Sequence, residues 1–132
     1  MASRDLHSHL HLAVALNIAA IAANTTTQGV IINTDGYEGV EFSLQAGGIT
    51  DGSFLPQIIE GNAADLSDGV VATNLIGTPA AMVAADANTV QKLGYFGSKQ
   101  YVRLELVSTG VTTGGTFGAV AALGYARNQP VT

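Results

Sequence analysis

Within Lys99–Ser108 apolar and polar positions alternate from Val102 to Leu106: Val102, Leu104 and Leu106 fall on one side of a period-two pattern, and Arg103 and Glu105 on the other. Successive side chains of a strand point to opposite faces, so the spacing predicts a strand with one apolar and one wet face. Val40–Ala46 repeats the pattern, with Val40, Phe42 and Leu44 as the inward set. Two such strands need their apolar faces covered, which points to sheet packed on sheet.

The other elements follow in order. Leu12–Ala23 is rich in alanine and long enough for a helix, yet Val14, Leu16 and Ile18 alternate with Ala13, Ala15 and Asn17. The all-β surroundings favour the strand reading. A polar turn over 24–29 leads to the β-branched strand Val30–Ile32, stopped by 33–36. Asp51-Gly52 after Gly47-Gly48 reads as a hairpin turn, so Ser53–Glu60 is expected to pair back on the Phe42 strand. Pro56 cannot donate to a ladder and places its strand at an edge or a bulge. Asp68-Gly69 leads into Val70–Ala72, and 73–87 is irregular, with room for one helical turn. Asn88–Phe96 is a strand that Gly97-Ser98 turns into the Lys99–Ser108 strand. A glycine-threonine loop over 109–116 precedes Phe117–Tyr125, apolar on both faces and hence expected to be a central strand or one buried between subunits. The tail 126–132 is expected to be extended.

The 132 residues amount to one domain, with 1–12 as an extended arm and 13–132 as the sandwich. Cysteine is absent, which removes disulfides, thiolate metal sites and a cysteine nucleophile. No apolar run reaches the ~18 residues of a membrane span, and a net charge of −5 argues against a nucleic-acid-binding face. Only 11% of residues are charged, against roughly 25% in an ordinary soluble domain. So little charge suggests that much of the surface faces other subunits.

Candidate chemistry is sparse. His7, His9 and His11 would share one side of an extended arm, where a metal site about an oligomer axis or simple contact with a neighbour are the two readings. Spacing fixes no further ligand, so no metal is assigned. Asp35-Gly36, Asp51-Gly52 and Asp68-Gly69 match no calcium loop and read as turns. Asn24-Thr25-Thr26 matches a glycosylation acceptor without a secretory signal to give it meaning. Lys92, Lys99 and Arg103 fall close together and form either a contact patch or a solvated strand face. No serine sits in a nucleophile elbow, and the carboxylates are scattered beside turn glycines. No catalytic residue and no cofactor is assigned; the chain reads as a non-enzyme.

Several motifs together resemble a group of small virion proteins of tailed bacteriophages. They are Asp35–Phe42 followed by Ile49–Gly52, Asn74–Thr78, Gly94–Arg103 and Leu123–Tyr125, spanning about Asp35 to Arg127. This chain has Gln100 where such proteins often carry a basic residue, and Tyr125-Ala126-Arg127 where a Gly-His-Pro-like ending is common. The resemblance implies a structural protein of the capsid decoration, or cement, type. The chain as a whole reads as an all-β, single-domain, jelly-roll-like β-sandwich of about eight strands with an extended N-terminal arm. It is expected to be a homotrimer, made in the bacterial cytoplasm, that bridges major capsid protein subunits on the outside of the virion. Membrane and nucleic acid are not expected partners. The alternatives are a neck, tail-tube or connector subunit, or a receptor- or carbohydrate-binding β-sandwich.

Overall fold

A computed structural model of the chain describes residues 6–126, and the expected extended tail lies outside them apart from Ala126, which ends the last strand. Ten strands form: β1 (His11–Ile21), β2 (Thr26–Gln28), β3 (Ile32–Asn33), β4 (Tyr37–Ile49), β5 (Ser53–Gly61), β6 (Val70–Val71), β7 (Leu75–Ile76), β8 (Val90–Tyr95), β9 (Tyr101–Thr109) and β10 (Gly115–Ala126). One sheet has the order β1-β10-β4-β8-β7; the other has the order β2-β9-β5-β6, with β3 also on β9. Every pair is antiparallel.

Setting aside the short strands β3 and β7, the other eight pair in a nested order: β1 with β10, β2 with β9, β4 with β8, β5 with β6. This is one long hairpin rolled into two sheets, the jelly-roll topology. The expected pairing of Ser53–Glu60 with the Phe42 strand is therefore wrong. β5 lies on β9, with Ile58 opposite Leu104, while β4 lies between β10 and β8. The turn at Asp51-Gly52 carries the chain from one sheet to the other, and Gly97-Ser98 likewise joins strands of opposite sheets.

The core lies between the sheets. Phe42 and Leu44 of β4, Leu93 of β8, Phe117 and Leu123 of β10 face Phe54 and Ile58 of β5 and Val102, Leu104 and Leu106 of β9, all buried. The Phe54 and Phe117 rings meet across the sandwich at 4.5 Å between centroids and a 44° tilt. β10 takes the central place its two-faced apolarity suggested. Pro56, which pairs with Leu106, sits where the outer side of β5 has no strand, between the Phe54–Met82 bridge and the β6 pairing at Ile59.

Leu12–Ala23 is a strand, β1, and not a helix, but its alternation is broken. Register shifts fall between Val14 and Leu16 and between Leu16 and Ala19. Ala15 and Leu16 are buried, whereas Val14 and Ile18, which the alternation put on one side with Leu16, are 53% and 83% exposed. The strand starts at His11, just inside the expected arm, and residues 7–9 form a short 3-10 turn rather than an extended segment, so the three imidazoles are not aligned along a strand. A second such turn, Ala84–Asp86, is the helical turn for which 73–87 had room.

Candidate functional site

The second sheet's outer face does not bear out the expected wet side of β9. The Arg103 guanidinium donates to Glu105 Oε2 at 2.8 Å, two residues along the same strand, and Gln57 donates to Glu105 Oε1 at 3.1 Å. Their side chains are only 15% and 7% exposed. Ile59 stands opposite Arg103 and Gln57 opposite Glu105, so the neighbouring strand covers the pair and makes it a structural clamp.

The three cations that the sequence placed close together are dispersed. Lys92, opposite Ser43, belongs to the first sheet, and Arg103 to the second. Lys99 lies in the connection between them, near enough to Asp68 to act on its charge. They form no common patch.

Two of the three Asp-Gly aspartates, Asp51 and Asp68, act as loop ties. Asp51 accepts backbone hydrogen bonds from Thr112, Thr113 and Gly114 at 2.8–3.1 Å, fastening the glycine-threonine loop to the β4–β5 turn. Those donors, Gly114 foremost, hold its carboxyl below the ordinary aspartate range. Asp68 accepts from the Asn62 and Ala63 amides, which lower its pKa in the same way, with the Lys99 charge adding to them. Asp65 is lowered by the Ser67 amide and hydroxyl. The buried Ser108 hydroxyl is committed to the Ala23 and Thr25 carbonyls. Burial and a hydrogen bond to Glu60 raise the Tyr95 phenol to about 12.

No group of three or more His, Cys, Asp or Glu side chains among the described residues is placed to hold a metal ion. His11 stacks on Tyr37 at 5.9 Å instead.

The surface least explained by the fold's own needs is the outer face of the β1–β10–β4 part of the first sheet. Leu12 stands opposite Ala122 and Val14 opposite Val120; Val120 in turn faces Ser43, and Gly118 faces Gln45. Ile18 lies over Gly118, where an added Cβ would come within 2.7 Å of its side chain. Beside it is an open groove of about 590 Å³, lined by Val14, Ile18, Thr116, Gly118, Ser43 and Gln45 among others. It offers apolar contact and neutral hydrogen-bonding groups but no charge. Sequence reasoning missed this face because the bulges in β1, which turn Ile18 outward, leave no local signal.

Neither a protein-family model nor a curated protein matches the sequence. Similar solved structures include the SPBc2 prophage-derived protein YomS, with a TM-score of 0.50 and 12% identity over 86% of this chain and 92% of that one. Another is a chain in the structure of infectious bursal disease virus, Gx strain, with a TM-score of 0.50 and 14% identity over 92% of this chain. This chain spans about a third of that one, 34%. At these identities the likeness is one of fold.

Proposed function

We propose that the protein is a structural component of a tailed-bacteriophage virion, and that it decorates the outside of the head by bridging neighbouring major capsid protein subunits. The observation that carries this reading is the jelly roll of nested antiparallel pairs, a fold shared with a prophage-derived protein and with a chain of a virus structure. The phage-like motifs of the sequence point the same way. Fold alone does not assign function, but the disposition of polar groups agrees with a mechanical role. Asp51, Asp68, Ser108 and the Arg103–Glu105 pair are each spent on fastening loops and strands.

A cement protein has to resist shear without doing chemistry. Three features suit that task. The two sheets share one core, the long loops are tied by buried or charge-assisted hydrogen bonds, and a broad neutral face is left for contact. The fold also pairs His11 with Leu123, so the start of β1 lies beside the last part of β10.

The test is addition of the purified protein to phage heads lacking it, followed by sedimentation and electron cryomicroscopy. The expected result is co-sedimentation and density on the outer shell across capsid subunit boundaries. Density confined to the neck or tail would replace the decoration reading with the connector one. Failure to bind heads, together with binding to a glycan or host surface, would favour the receptor-binding sandwich.

A further inference from the structure

We infer that the outer face of β1 and β10, centred on Ile18 and Gly118, is the surface on which a second copy of this chain docks. The inference does not depend on where the protein sits on a particle, because it concerns the purified chain.

The first observation is charge. No Asp, Glu, Lys or Arg occurs between Asp5 and Asp35, or between Glu105 and Arg127. All of β1 and β10 is therefore neutral in a chain of net charge −5. Two acidic copies repel wherever their carboxylates face each other, and β1 and β10 present none; the Glu41 carboxylate of β4, on the same outer face, lies over Gly94 of β8. A neutral, apolar surface also gives a strongly charged partner nothing to recognise, whereas another copy of the same face matches it in chemistry.

The second observation is shape. Leu12, Val14 and Ile18 on β1 and Val120 on β10 are large apolar side chains left exposed on one contiguous face. Ile18 projects beside the groove over Gly118, so knob and hole lie on the same patch. A self-complementary contact between identical subunits needs that arrangement. The β-bulges either side of Leu16 turn Val14 and Ile18 out of the core, and bulges commonly serve to re-aim side chains in this way.

The third is area. β1 has 11 residues, which at ~3.3 Å each is ~36 Å of strand, and three strands span ~14 Å, giving roughly 500 Å² in projection. Two copies laid face to face would bury about 1,000 Å² in all, the size at which a specific interface becomes credible.

The experiment is sedimentation velocity and equilibrium on the purified full chain, the Ile18→Asp and Val14→Lys variants, and Val90→Asp as a control. Val90 is exposed on the same sheet but on β8, beyond β4. The wild type should be an oligomer at micromolar concentration. Either charged variant on β1 should weaken its dissociation constant by about 100-fold or more, since an unpaired charge must be buried. Both substitutions are at exposed positions, and a circular dichroism spectrum matching the wild type establishes that the variants are folded. If either loses its fold, Ile18→Ser and Val14→Ser, which add no charge, should weaken association in the same direction.

A wild type that stays monomeric up to about 100 µM overturns the proposal. If Ile18→Asp then still abolishes binding to phage heads, the occupant of the face is the capsid rather than a second copy. An oligomer that survives both β1 substitutions, or that Val90→Asp dissociates equally, also overturns it.

Discussion

Arg103 and Glu105, two residues apart on β9, form an ion pair at 2.8 Å on a face that their own alternation marks as solvent-exposed. Because the side chains are 15% and 7% exposed, each depends on the other and on Gln57. Arg103→Ala leaves a shielded carboxylate short of donors and should cost about 1–3 kcal/mol, well above a surface pair. Leu104→Ala, one residue away on the core face, should cost roughly 2–5 kcal/mol. Urea unfolding checks both, and pairing Arg103→Ala with Glu105→Gln should recover part of the loss.

At Gly29 the chain bridges the sheets. Its amide donates to Leu104 of β9 at 2.8 Å, and the next amide, Val30, donates to Ala15 of β1 at 2.7 Å. A Cβ at Gly29 would collide with the Ala15 and Leu104 carbonyl oxygens, neither of which can move without breaking a bond just described. Gly29→Ala should therefore cost at least the roughly 1–3 kcal/mol of an overpacked site. Gly48→Ala, where nothing lies within 4 Å, should be neutral or slightly stabilising in the same thermal melt.

Stability should fall in acid through the aspartate ties. The Asp51 carboxyl is lowered in the folded protein by the Gly114, Thr112 and Thr113 amides, so its contribution is complete above the unfolded value of 3.8 and is lost as the pH falls through the lower folded value. Asp51→Asn should be less stable than the wild type at pH 7. Its stability should also change less between pH 4 and more acidic conditions, while Asp65 and Asp68 keep their own contributions. A series of denaturation midpoints against pH reads this directly.

Tyr95 should respond at the opposite end of the scale. Its folded value of about 12 exceeds the ordinary 10.0 through burial and the Glu60 hydrogen bond, so its stabilising contribution is complete below pH 10 and is lost as the pH rises towards 12. An ultraviolet phenolate titration should contain a late step at about pH 12, and Tyr95→Phe should remove it.

Ala121 and Ala122 should separate inside from outside on β10. Ala121 is fully buried, so Ala121→Leu overpacks the core at about 1–3 kcal/mol. Ala122 stands opposite Leu12 on the outer face, and Ala122→Leu should leave the unfolding midpoint nearly unchanged.

The sequence by itself determined the long strands and, for β4 and β9, which side chains point inward, whereas β2 falls in the expected polar turn 24–29 and β7 in the expected irregular stretch 73–87. Val40, Phe42 and Leu44, and Val102, Leu104 and Leu106, are all buried as their spacing required. That much is legible because period-two alternation is a property of the strand alone. Only the tertiary structure decided which strands become neighbours. Asp51-Gly52 offers the same local turn chemistry whether the chain doubles back in one sheet or crosses to the other, and the crossing is selected by nesting β4 and β5 with β8, β9 and β10 far along the chain. Tertiary structure also decided what the outward residues meet. Glu105 is dry because Gln57 and Arg103 lie beside it, and Ile18 is exposed because register shifts in β1 reverse the side it faces. A one-residue slip inverts every later side chain of a strand, and no pattern within the strand records where the slip falls.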